Sequence, residues 1–225
     1  MHPIQEIISA YKSGTHTGIF SNCSANEFVL RAVLRRCKQK GIPALIEATA
    51  NQVNQDGGYT GQTPKDFYEW CHELAECEGF DKTKLILGGD HLGPLTWTKL
   101  NEAEAMAKAE RLISEYVMAG FTKIHIDTSM RLASDDPKKP LSDKIIAGRG
   151  ARLCAVAEAA YAKRKNEEPN AVSPIYIIGS EVPIPGGAQE HEELGITKKE
   201  NCLATISAFK KAFEKKGLQM HGSVL

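Results

Sequence analysis

The chain has 225 residues, with 28 Lys and Arg against 28 Asp and Glu, so the clustered positive excess that a nucleic acid or an anionic membrane demands is missing. Apolar residues make up 42% and charged residues 25%, a globular rather than a disordered composition, and the length suffices for a single domain over 1–225. The N-terminus lacks the basic-then-apolar order of a signal peptide, and no apolar run approaches the ~20 residues that span a bilayer, so a soluble cytoplasmic protein is expected.

Five short apolar strands alternate with helical segments, at Thr17–Cys23, Ala44–Ala50, Leu85–His91, Lys123–Ser129 and Ile175–Glu181. Strict alternation of this kind predicts a parallel sheet covered by helices. The first helix of the series runs from about Asn26 to Gly41, a residue suited to a left-handed terminus. The second opens at Thr63-Pro64, a cap followed by proline. The third opens at Asn101 with Glu104, and the fifth at Thr197 with Glu200, both spaced as capping boxes. The fourth starts at Ser142 and ends in the polar stretch 163–168. Phe28, Phe67, Tyr68, Trp70 and Tyr116 lie on these helices at core spacings and are read as packing. The six cysteines contain no CxxC pair and are expected reduced and mostly buried.

Units of this size fit either a (β/α)8 barrel or an open doubly wound sheet. Ionisable groups favour the barrel, because Glu47, Asp90-His91, His125, Asp127 and Glu181 fall at or near the C-terminal ends of four successive strands, where a barrel builds its site. The expected fold is an α/β TIM barrel, here incomplete with about five β/α units. Five units are three short of closure, so the sequence is read as the first half or so of a longer chain, or as one completed by another chain.

Several segments carry candidate chemistry. Glu47 is a carboxylate within an apolar strand and requires a partner. The loop after it offers Asn51, Gln52, Asn54, Asp56, Gly57 and Gly58, a set suited either to a polar ligand or to the strand-to-helix turn itself. Asp90 and His91 are adjacent, so they leave opposite sides of a strand unless it has begun to turn. His91 reads either as a hydrogen-bonding core or loop residue or as a ligand to a divalent metal, with Asp90 then acting on a substrate hydroxyl or proton. Asp127 lies nearer the mouth than His125, which reads as a satisfied core histidine. Glu181 precedes a loop containing Gly186-Gly187. There is no GxxxxGK[ST], GxGxxG, GxSxG or HExxH, so no nucleotide or nicotinamide cofactor is expected.

The stretches IEATANQVNQDGGYTG (46–61), LILGGDHLGP (85–94), FTKIHIDTSM (121–130) and GSEVPIPGGAQEHEE (179–193) together resemble the Z-type subunits of tagatose-1,6-bisphosphate aldolase. The resemblance implies a TIM barrel of galactitol or N-acetylgalactosamine catabolism. It further implies an oligomer with a zinc-dependent, class II Y-type subunit that cleaves tagatose 1,6-bisphosphate. The Z-type chain is then the non-catalytic member, needed for full activity and stability of its partner. A weaker resemblance to the class II aldolases themselves matches Asp90-His91 to a strand-end pair whose Asp acts on substrate and whose His binds zinc. It also matches Glu181 and Gly186-Gly187 to a Glu followed by a Gly-Gly loop. On this basis Asp90, Asp127, Glu47 and Glu181 are candidate catalytic groups, vestigial in an accessory chain. Two other functions stay open: a metal-dependent hexulose 6-phosphate C4-epimerase and an inactive fragment.

Overall fold

The computed structural model describes residues 2–179 and 198–218. Five parallel strands, β1 (Ser21–Asn22), β2 (Ala44–Thr49), β3 (Leu85–Leu92), β4 (Lys123–Ile126) and β5 (Ile175–Ile178), form one sheet in the order β1-β2-β3-β4-β5. All five predicted strands are present; four are shorter than expected at their ends, whereas β3 runs one residue further, to Leu92. The strand order follows the chain without reversal, unlike a doubly wound sheet with its switch point.

Helices α2 (Glu27–Lys40), α3 (Pro64–Cys77), α4 (Glu102–Ala119), α5 (Asp143–Glu167) and α6 (Lys199–Lys215) flank the sheet. Their ends follow local chemistry. The Asn26 side chain accepts from the amides of Phe28 and Val29, and α2 stops at Gly41 with φ 66°. Thr63 and Asp66 close a full capping box on α3, Asn101 caps α4 through the Glu104 amide, and Ser142 caps α5 through the Ile145 amide. The sixth helix departs from expectation. Its N-cap is Lys198, without a side-chain hydrogen bond, and Thr197 lies outside the described residues.

A helix the sequence reading had not assigned, α1 (Pro3–Lys12), precedes the sheet. Here the His2 ring accepts from the Ile4 amide and Gln5 reaches back to complete a box. Period-two alternation then sorts the strands into two faces. Ala44, Ile46, Ala48, Leu87, Ile124 and Ile126 pack with the helices in the main core. Leu45 and Ile86, on the other face, pack on Ile4 of α1, with Ile8, Ile19 and Ile175 around them. Further along that second face the apolar residues give way to Glu47, Asp90 and His125. The site therefore sits above a small apolar floor.

Two packing expectations need correction. Phe67 and Tyr116 are fully buried, but Phe28 is 83% exposed beside exposed Phe20 and Val29, because this flank of α2 lies beyond the edge strand β1 and is bare. Cys37, Cys71 and Cys154 are buried whereas Cys23, Cys77 and Cys202 are exposed, all six as free thiols. Their places at a strand end and on the outer turns of helices account for the difference.

The turn between β4 and α5 is fixed by Arg149, which is 3% exposed. Its guanidinium donates to both Asp135 oxygens, at 3.0 and 2.7 Å, and to Glu102 Oε2 at 2.6 Å. Those bonds to Arg149 hold the Asp135 carboxyl below its usual range against the opposing effect of burial. A depressed carboxylate contributes stability above its unfolded pKa, about 3.9, that is lost as pH falls through its lower folded value. Asp135→Asn should therefore cost about 2 kcal/mol at neutral pH, and the deficit should vanish in strong acid. Urea unfolding across pH 2 to 7 checks this.

Candidate functional site

Neighbouring strands bring Glu47, Gly88 and Lys123 into one row, since Glu47 pairs with Gly88 and Gly88 with Lys123. Gly88 has no side chain, and a Cβ there would stand only 3.0 Å from Glu47 Cγ. The Lys123 ammonium therefore crosses over β3 to bond Glu47 Oε2. The Ser21 hydroxyl donates to the other oxygen at 2.5 Å. Glu47 is 1% exposed, and these two groups are the partners its burial requires. The ammonium also lies 3.7 Å from Asp90 Oδ1.

One layer higher, two His–Asp pairs cross between β3 and β4. His125 Nδ1 lies 2.8 Å from Asp90 Oδ1, and His91 Nδ1 lies 2.7 Å from Asp127 Oδ2. A carboxylate only accepts, so in each pair a protonated Nδ1 is the donor, and a neutral ring of that tautomer would present a lone pair at Nε2. The β3–β4 register shifts between Gly89 and Leu92, and His91 takes φ 48°, the one positive φ at a non-glycine among the described residues. This left-handed turn swings the imidazole to the side where Asp90 already points. The two rings stand 4.6 Å apart between centroids. Strain of this kind costs roughly 1–3 kcal/mol and collects at working sites.

Electrostatics follow from these contacts. Burial pushes the Asp90 carboxyl up, but the His125 hydrogen bond and the charges of Lys123, His125 and His91 outweigh it and leave it well below the usual range. Asp127 is likewise lowered despite its burial, by His91 and by the Ser129 hydroxyl and amide that donate to Oδ1. The Asp127 hydrogen bond raises His91. Burial lifts the Cys23 thiol to about 11, so it stays protonated and donates to Asp90 Oδ2 at 3.4 Å. The cluster holds three carboxylates, Glu47, Asp90 and Asp127, against the one ammonium of Lys123, which contacts only the first two, so with neutral imidazoles the cluster is negative and receptive to a cation.

Asp90, His91 and His125 each offer a ligand atom, all within 4.8 Å of one another. A nitrogen, nitrogen and oxygen donor set whose imidazoles are held by carboxylates suits a divalent ion.

The model of the GatZ/KbaZ-like D-tagatose-1,6-bisphosphate aldolase subunit family matches residues 4–223. The chain belongs to this family. A solved structure titled a probable tagatose 6 phosphate kinase, from Sinorhizobium meliloti 1021, is 45% identical with a TM-score of 0.75. The match covers 89% of this chain and 45% of that one. The chain thus spans about half the length of that relative.

Among the family member's predicted site residues, the structure brings Glu47, Asp90, His91 and Asp127 together, with His125 among them. His125 is buried, as a core histidine would be, yet it pairs with Asp90 and belongs to the cation-receptive group. Lys123, Ser21 and Cys23 were missed by sequence reasoning. Glu181, Gly186 and Gly187 lie outside the described residues. Among the described residues, the predicted loop residues make no bond to the ionisable groups of the cluster and bond elsewhere. Asn54 donates to the Ala50 carbonyl at 2.8 Å and accepts from the amides of Asp56 and Gly58. Gln52 bonds the Thr49 amide and the Cys23 carbonyl, Asp56 pairs with Lys108, and Asn51 accepts from Thr96.

That loop has one position only glycine can fill. Gly58 takes φ 55°, and a Cβ there would meet the Gln52 carbonyl oxygen at 2.3 Å, whereas Gly61, at φ 76°, faces open space. Gly58→Ala should cost at least about 2 kcal/mol and Gly61→Ala about 1 kcal/mol. Urea unfolding midpoints of the two variants compare them directly.

Proposed function

We propose that this chain is an accessory subunit of a tagatose-1,6-bisphosphate aldolase, acting with a catalytic class II Y-type chain in cytoplasmic sugar catabolism and retaining a metal-competent sugar-phosphate site. Its five strands are read as consecutive staves of an eight-stranded barrel, with helices outside and the ionisable face inside. The observation that carries the function is the family match over 4–223. The kinase title of the Sinorhizobium structure has no counterpart here in a nucleotide-binding motif.

In this reading Asp90, His91 and His125 hold a divalent ion, zinc being the first candidate for such donors. The ion, when bound, supplies Lewis-acid polarisation of a substrate carbonyl. The protein's own groups have separable tasks. Asp127 fixes the His91 tautomer and ring orientation, and Lys123 with Ser21 holds Glu47 as a buried anion. Asp90, the most exposed of the three carboxylates, is placed to accept a hydrogen bond from a substrate hydroxyl.

The strained His91 and the two complete His–Asp pairs favour a second reading, a C4-epimerase of hexulose 6-phosphates that works by itself. Purified chain, with and without the Y-type partner, separates the two. Silence alone together with a faster, more heat-stable partner supports the accessory role. Interconversion of fructose 6-phosphate and tagatose 6-phosphate by this chain alone, abolished in His91→Ala, establishes the epimerase. Failure of both assays overturns the reading.

A further inference from the structure

A cleft of about 670 Å³ opens beside the ionisable cluster, between the loop after β1 and the loop after β2. None of the residues that line it is charged. Its chemistry is that of amides, hydroxyls and aromatic rings, carried by Asn26, Gln52, Tyr59, Thr60, Gln62 and Trp70. Cys23 lines it too, and its thiol donates to Asp90, so one residue joins the cleft to the cluster.

The lining is held from behind. Tyr59 and Thr60 return over the strand ends through amide bonds to the carbonyls of Asn51 and Gln52, at 2.9 and 3.3 Å. The Thr60 hydroxyl donates to the Gln52 carbonyl at 2.8 Å. Among the described residues the Gln62 side-chain amide and the hydroxyl of the exposed Tyr59 make no internal hydrogen bond, and both residues line the cleft.

Among the described residues an anion finds no cationic side chain in the lining. The start of α2 borders the cleft, but the Asn26 side chain already accepts from the Phe28 and Val29 amides, Ser24 accepts from the Asn26 amide, and Glu27 adds a negative charge to the first turn. The Lys123 ammonium next door is engaged by Glu47 and Asp90. A helix start so occupied does not act as a phosphate site.

We infer that this cleft binds the uncharged polyhydroxyl end of the substrate, and that a phosphate at the other end is directed away from the β1–β2 side. The inference rests on the sugar-phosphate reading above and adds an orientation to it. Free amides and hydroxyls recognise sugar hydroxyls, and an aromatic ring covers the apolar face of such a ligand.

Trp70 supplies the test, because it and Trp97 are the two tryptophans. In a Trp97→Phe background, Trp70 fluorescence should respond saturably to free fructose, and inorganic phosphate should neither reproduce the response nor compete with it. Calorimetry of the unmodified chain with the same two probes gives the answer should Trp97→Phe not fold. Gln62→Leu, which breaks no internal bond, should weaken sugar binding about tenfold. Displacement of fructose by phosphate, or no response to fructose, overturns the inference. Zinc titration of the same preparation keeps the two readings apart. Zinc binding without a sugar response sinks the cleft alone, whereas a sugar response without zinc binding sinks the metal reading and leaves the cleft standing.

Discussion

Lys123→Met should destabilise the protein by about 3–5 kcal/mol at neutral pH, the range seen when one partner of a buried ion pair is removed. The large figure follows from where Glu47 is left. It is 1% exposed, and Ser21 alone can bond it once the ammonium is gone. Methionine matches the lysine stem in length, so lost packing contributes little. A second substitution isolates the charge: in the Glu47→Gln background, Lys123→Met should cost less by about 2 kcal/mol, the coupling expected of residues in direct contact. Equilibrium urea unfolding of the four proteins gives the cycle. A cost below about 1 kcal/mol for Lys123→Met alone would mean that water reaches Glu47, as at exposed pairs.

The same pair shows what the sequence could and could not disclose. A carboxylate in an apolar strand announced that it needed a partner, but the partner stands 76 positions away. Only the register that aligns Glu47, Gly88 and Lys123 reveals it, and register is a property of paired strands. Strand identity and helix starts were legible because they depend on local alternation and capping chemistry. The α1 helix was missed because its cap is a histidine, a residue outside the usual capping set, although Pro3 and the Ile4–Ile8 spacing were available signals. His91 and Asp90 were expected to diverge unless the strand turned, and the turn exists as a left-handed residue that no composition rule announces. His125 was read as core because burial and site membership exclude each other only on a surface site. Here the site is itself buried.

His91→Ala should lower affinity for a divalent ion at least about 100-fold, and Asp127→Asn, which touches no ligand atom, by about 10- to 100-fold. The second figure is the usual consequence of removing the group that orients a metal-binding imidazole. His125→Ala distinguishes two roles. As a ligand it should reduce affinity as much as His91→Ala, whereas a merely structural histidine would lower stability and leave affinity unchanged. Cobalt or zinc titration against a chromophoric chelator, paired with urea unfolding of each variant, reads both quantities. Lys123 enters with the opposite sign. Its ammonium stands 3.7 Å from Asp90, so it competes with any cation for that carboxylate, and Lys123→Met should bind the ion more tightly than the parent. Because an ion that binds only the folded state stabilises it by about 2.7 kcal/mol at a hundred times its dissociation constant, saturating metal should restore much of what Lys123→Met loses. Rescue of Lys123→Met by metal, absent when His91→Ala is added, would tie the buried ion pair and the imidazole pair into one electrostatic unit.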